Sequence, residues 1–264
     1  MIENMSDSGE KIYKYYSCNN KHSLDVLRNN QLFFSHPSNF NDPFDSSFDL
    51  LVKPYKKFCE ALNGIEKITD VFERQGICCF TKSSRPDNKH FWSLYADNYA
   101  GFALEFDENE LNNKYLPLHL DRVNYFDNPI NLDDFEMTFG FDYMDINYTV
   151  RDSIEKYPYD PMPLDRLFQY LILCKEKSIW QNENEYRMVI GNTAKSSEMV
   201  QHTKRGYLLK LQQNSIKSIT FGYKMKDRAK YIAIAKAKAI PMYEAAPNIV
   251  TSTITQWGIT IKSM

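Results

Sequence analysis

EYRMVI (residues 185–190), GYLLKLQ (206–212) and IKSITFG (216–222) follow one another with no helical period between them. Each is rich in β-branched and aromatic residues and is bounded by polar or glycine-bearing stretches, the pattern of a strand. Three strand-like segments in succession cannot come from a regular alternation of strands and helices, so a doubly wound parallel sheet is set aside and the α+β class is expected. Working outward, KIYKYYS (11–17), QLFFS (31–35), GICCFT (76–81) and GFALEF (101–106) add further strands. GICCFT is apolar throughout, as a strand buried on both faces must be. Helices are expected over KHSLDVLRNN (21–30), over 56–73, over a short piece of NKHFWSLYADNYAG closing at Gly101, over 164–176 and over the basic run KMKDRAKYIAIAKAKA (224–239). The segment 114–126 alternates like a strand, IPMYEA (240–245) follows the basic run, and the last strand is expected within 249–262. No repeat or long Gly/Ser/Pro linker divides the chain, so residues 1–264 read as a single domain, with an acidic, aromatic and partly helical insertion at about 128–163.

A chain of 264 residues with 43% apolar and 14% aromatic content can bury a substantial core. No apolar run is long enough to span a bilayer and the first residues lack a signal-peptide pattern, so a cytoplasmic protein without membrane attachment is expected. The five cysteines form no CxxC pair and the five histidines show no ligand spacing, which points to buried thiols and no metal. The net charge of −2 conceals opposite halves: from residue 201 onward 11 basic residues face Asp227 and Glu244 (+9), leaving 21 against 32 (−11) before it. A basic C-terminal part fits either a lysine-coated helix or a surface for an anionic partner such as nucleic acid.

Chemistry concentrates in KSIWQNENEYRMVI (177–190). If a strand starts near Asn184, then Glu183, Glu185 and Arg187 share one face, a salt-bridged seam or the acidic end of an active site. No GxGxxG, GxxxxGK or GxSxG sequence is present, which removes the common nucleotide-binding loops and the hydrolase elbow.

Four blocks carry a family resemblance: IYKY (12–15), LFFSHPSNFNDPFD (32–45), WSLYADNYAGFALEF (92–106) and KSIWQNENEYR (177–187). In that order, over about two thirds of the chain, they resemble the bacterial domain of unknown function 2971. The order of strands and helices is more distantly similar to that of ADP-ribosyltransferases. That likeness implies a split, mixed or antiparallel β core with peripheral helices and NAD as substrate. It also implies transfer of ADP-ribose to a protein or nucleic-acid acceptor, as in a bacterial toxin or antiphage effector, with an antitoxin or other protein as a possible partner. It assigns Glu185 as the catalytic carboxylate beside the ribose and Glu183 as the group that orients the acceptor. Tyr95 or Trp92 is expected to stack on nicotinamide, Ser93 or Thr81 to meet its amide, and Lys14, Tyr15 or Arg187 to meet the ribose and pyrophosphate. The pattern departs at Lys14, where these enzymes carry histidine or arginine. Two other classes stand beside this one. One is a non-catalytic nucleic-acid or partner-binding module using Lys226, Arg228 and Lys230; the other is a metal-dependent nuclease built on Asp42, Asp45, Glu105 and Glu183.

Overall fold

The computed structural model describes residues 11–40, 42, 45, 51–52, 75–114, 120–128, 130–131, 172–190, 198–248 and 258–264. Along the chain these form β1 (Lys11–Tyr16), α1 (Ser23–Asn29), β2 (Gln31–Ser35), β3 (Leu51–Val52), β4 (Gly76–Lys82), α2 (Lys89–Leu94), β5 (Phe102–Asp107), α3 (Glu108–Lys114) and β6 (Leu120–Arg122). They continue with β7 (Asn124–Phe126), β8 (Ile130–Asn131), β9 (Cys174–Glu176), α4 (Lys177–Trp180), β10 (Glu185–Ile190), β11 (Val200–Thr203) and β12 (Gly206–Lys210). Last come β13 (Ser218–Gly222), α5 (Ala229–Ala237), β14 (Met242–Pro247) and β15 (Ile259–Ser263). The expected helix 56–73 and almost all of the insertion at 128–163 lie outside the described residues.

One 11-stranded sheet collects strands from both ends of the chain in the order β11-β12-β2-β4-β1-β5-β13-β14-β15, with β10 beside β4 and β6. Its pairs are antiparallel except β13 with β14, which are parallel and joined through α5. The protein is therefore α+β, as the run of consecutive strands required.

Alternation along the strands sends apolar residues to both faces. On one face Ile12, Phe34, Phe80, Leu104, Met188 and Phe221 pack with Leu24 and Leu27 of α1 and Tyr231 and Ala235 of α5. On the other, Tyr13, Tyr15, Ala103 and Ala245 pack with Phe91 and Trp92 of α2 and with Tyr99. Each fully buried phenylalanine contributes about 1.5–3 kcal/mol by leaving water. Gly101 shows why a side chain is excluded where α2 returns to the sheet: an added Cβ would stand 2.1 Å from the Tyr16 carbonyl oxygen.

The register exposes a fork. β1 pairs with β5 over six residue pairs, Lys11↔Asp107 to Tyr16↔Phe102. With β4 it makes only two, Ile12↔Lys82 and Tyr13↔Thr81. β4 keeps β10 along its other edge from Glu185↔Thr81 to Ile190↔Gly76. Beyond Tyr13 the sheet therefore splits between β1 and β4, and Cys79 stands at the opening.

One expectation is corrected. The run expected as helix to residue 176 ends as β9, paired in parallel with β7 through Asn124↔Cys174 and Phe126↔Glu176. The apolar content of LILCKE signals burial but does not separate a buried strand from a buried helix, and pairing with β7 decides for the strand.

Candidate functional site

At the fork, α2, β9, the turn before β10 and β10 itself bring charged side chains together under the sheet. Asn88 caps α2: its Oδ1 accepts from the His90 and Phe91 N–H groups at 3.0 and 3.2 Å, and its Nδ2 donates to the Asn182 and Glu183 carbonyls. The cap thus ties the helix to the glutamate turn. Glu183 closes a 3₁₀ turn, Gln181–Glu183, and Asn184 (φ 45°, ψ 52°) is left-handed before the strand begins at Glu185. Asparagine is among the few residues other than glycine that enter this region readily. Its Nδ2 also donates to the Lys82 carbonyl at 2.9 Å. Glu183 and Glu185 therefore converge by way of a reversal, and not along one strand face as the sequence suggested.

Both glutamates meet one cation. Lys175 Nζ lies 2.8 Å from Glu183 Oε2, 3.1 Å from Glu185 Oε2 and 3.6 Å from Asp45 Oδ2, and it sits 4.3 Å from the centroid of the Trp180 ring. Arg187, wholly buried, reaches two carboxylates at once. Its Nε and Nη2 donate to Glu185 at 2.8 and 3.1 Å, its Nη1 and Nη2 to Asp45 at 2.7 and 2.6 Å, and Nη1 also to the Ile172 carbonyl. The remaining oxygen of Glu183 accepts from the Tyr95 hydroxyl at 2.7 Å, and the Tyr125 hydroxyl accepts from the Glu185 N–H at 2.9 Å.

This arrangement separates the two glutamates electrostatically. Burial raises the Glu185 carboxyl, but Arg187 and then Lys175 outweigh it and hold the group well below the usual glutamate range. Burial pushes Glu183 up, Lys175 offsets only part of that, and the charge on Glu185 adds to the rise. Burial lowers Lys175, yet Glu185, Asp45 and Glu183 together raise it. Tyr95 is raised by burial and by Glu183, and Tyr125 is pushed up to about 12, burial again coming first. The Cys79 thiol is raised by burial and by Glu185, so it is protonated at neutral pH.

A cleft of about 110 Å³ opens on this network, lined by Lys14, Tyr15, Phe40, Asp45, Cys79, Phe91, Tyr95, Lys175, Glu185 and Arg187. Of the expected site residues, Lys14, Tyr15, Tyr95, Glu185 and Arg187 line the cleft. Glu183, 2% exposed, stands behind them, holding Tyr95 and Lys175. Three expected contacts are corrected. Trp92 is no stacking platform: it is fully buried, its ring lies on Tyr99 with centroids 5.3 Å apart and its Nε1 donates to the Pro86 carbonyl. Thr81 is buried and spends its hydroxyl on the Glu183 carbonyl at 2.9 Å. Ser93 is exposed on α2, away from the lining. Lys175, Phe40, Phe91 and Cys79 complete the lining without having been expected in a site, together with Asp45, which was named only for the nuclease alternative.

Of the acids of the nuclease alternative, Asp45 and Glu183 meet at Lys175, whereas Glu105 is engaged elsewhere. Glu105 accepts from Tyr13 and Ser218 and pairs with Lys11, whereas Asp45 and Glu183 are bound to cations. Among the described residues no group of three or more His, Cys, Asp or Glu side chains is placed to hold a metal ion. Cys18, Cys78 and Cys79 are not joined in disulfides. No helix among the described residues is long and apolar enough to cross a membrane. On the basic C-terminal part, Lys224, Lys226, Lys230 and Lys236 are exposed. Arg228 instead clips β14 and the end of β13 through Glu244, the Gly222 and Tyr223 carbonyls and its own turn.

These features define an α+β protein with a charged cleft at the split of its sheet. The model of the family described as "Protein of unknown function (DUF2971)" matches residues 91–188, the stretch that carries Phe91, Tyr95, Lys175, Glu183, Glu185 and Arg187. No curated protein and no solved structure matches the chain.

Proposed function

We propose that the cleft takes the nicotinamide-ribose end of NAD and that the protein is an ADP-ribosyltransferase-like enzyme acting on a protein or nucleic-acid acceptor. The observation that carries the reading is Glu185: a carboxylate kept ionised by Arg187 and Lys175, facing a cleft walled by Tyr15, Phe91 and Tyr95 at the fork of the sheet. When the bond from ribose C1′ to the nicotinamide nitrogen breaks, its electron pair leaves with the ring and positive charge develops on the ribose. A fixed anion beside that centre stabilises the charge without reorganising at the moment of reaction. An acceptor oxygen or nitrogen then bonds to C1′ and gives up its proton to solvent. Glu183 serves by holding Tyr95 and Lys175 in place, because it stands behind the residues that line the cleft.

The cleft volume of about 110 Å³ suits one ring-sized group. Sites for whole ligands of drug size run to about 300–1,000 Å³, so this reading seats the nicotinamide inside and leaves the rest of the dinucleotide at the mouth. Incubation with NAD and measurement of released nicotinamide tests it. Release by the wild type and a fall of at least about a hundredfold in Glu185→Gln are expected, the scale of losing one preorganised electrostatic group. Equal rates for the two proteins, or no release by either with and without cell lysate as acceptor source, would end the proposal.

A further inference from the structure

Five of the six charged groups gathered at the fork are bound to opposite charges; the sixth, Lys14, is not. Among the described residues its Nζ donates to the Cys79 carbonyl at 3.1 Å, approaches the Cys78 thiol and enters no ion pair. It stands 5.6 and 5.7 Å from the centroids of the Phe80 and Tyr16 rings. The facing carboxylates of Glu185 and Asp45 are already engaged by Arg187 and Lys175. An ammonium has three donors, and taking its charge out of water without acceptors for them is costly. Its place follows from the topology: β1 leaves β4 after Tyr13, and the next side chain on the strand enters the gap.

We infer that Lys14 reads an acceptor oxygen on the ring of the cleft's ligand, a planar ring carrying a carboxamide or carboxylate, with Tyr15, Phe91 and Tyr95 as the aromatic wall. This inference rests on the cleft being the ring site of the proposed function, but it requires no cleavage. It also replaces the hydroxyls of Thr81 and Ser93, which the structure commits elsewhere, as the group that meets the ring substituent. The three cations and three carboxylates of the network balance, so a neutral carboxamide takes the remaining Lys14 donor without leaving an excess charge.

The test is binding of nicotinamide and of 3-methylpyridine, the same ring without an acceptor oxygen, measured by ligand-observed NMR on the whole chain. A site built around a buried donor rejects the analogue that leaves the donor unpaired. Nicotinamide is expected to bind at least about tenfold more tightly. In Lys14→Met, folding confirmed by circular dichroism, that preference should disappear. Equal binding of the two rings to the wild type, or absence of binding by either, overturns the inference, and so does a preference that survives in Lys14→Met. If the rings bind equally while NAD is still cleaved, Lys14 loses its role and the proposed function stands. If nicotinamide is preferred while NAD is not cleaved, the reverse holds.

Discussion

Replacing Arg187 with methionine keeps most of its length and removes its charge from a place with no solvent. The guanidinium is wholly buried and forks to Asp45 and Glu185, whose side chains are 4% and 3% exposed. Without it, Lys175 alone faces three carboxylates, at 2.8, 3.1 and 3.6 Å. Removing one partner of a buried ion pair costs about 3–5 kcal/mol, because the other charge is left uncompensated. Here two carboxylates lose their fork, so the upper part of that range applies. Against a total stability of roughly 5–15 kcal/mol, about 4 kcal/mol is a large share. For a chain of this size it corresponds to a fall in Tm of roughly 8–16 °C. Urea unfolding followed by tryptophan fluorescence at pH 7.5 and pH 5 measures it. In the variant, burial still raises the Glu185 carboxyl while its largest counterweight, Arg187, is gone, so its folded-state pKa is expected above its unfolded one. The folded variant then takes up protons as pH falls, and its deficit relative to wild type shrinks toward pH 5. A loss below about 1 kcal/mol at pH 7.5, the scale of an exposed pair, would refute the reasoning. A deficit that grows on acidification would do the same.

The wild type should lose stability as pH drops below 4.5, the usual glutamate value. Glu185 is held below that value in the fold, so its contribution is present above it and lost as pH falls through the folded-state pKa. Acid titration of Glu185→Gln, with a flatter limb, checks this. Trp92→Ala should cost about 3–5 kcal/mol in urea unfolding as a core truncation, whereas Ser93→Ala should stay within about 0.5 kcal/mol; similar costs for both would contradict the buried placement of Trp92. Gly206→Ala should fail to fold or melt far below wild type in a thermal scan. Its φ of +151° is one that side chains rarely adopt, and an added Cβ would lie 1.9 Å from the Phe34 carbonyl oxygen. Charge reversal at Lys226 and Lys230, exposed before and within α5 and outside the cleft lining, should leave thermal stabilisation by NAD unchanged while reducing any salt-dependent binding to RNA or DNA.

The strands that build the sheet were legible because their signal is local: GICCFT, GFALEF, EYRMVI, GYLLKLQ and IKSITFG all appear as β4, β5, β10, β12 and β13. Glu185 with Arg187 was legible for the same reason, since residues two apart on a strand share a face. Lys175 was not. It follows an apolar run that reads as helix, and only the pairing of β9 with β7 turns it toward Glu183 and Glu185. Asp45 stands 142 positions from Arg187, and nothing local links them. Asn184 did carry a usable signal, since asparagine between two glutamates permits the left-handed turn that brings both carboxylates to one ammonium. Trp92 misled because an aromatic residue on a short helix serves equally as wall or as core. Its neighbour Phe91, one position back, is the one that reaches the cleft.

The network also explains why the cleft lies at the fork and not elsewhere along β4. Where β1 and β4 remain paired, the Tyr13 and Thr81 backbones satisfy each other and leave no room between strands. Past that point the Cys79 carbonyl loses its strand partner and would be a buried acceptor without a donor, which costs about 1–3 kcal/mol. Lys14 supplies the donor from the departing strand. That solution brings an ammonium into a space where two carboxylates are already held by Arg187 and Lys175. A hydrophobic residue at position 14 would leave the carbonyl unpaired, and a short polar one would not span the gap. Lysine meets the backbone's need with one of its three donors.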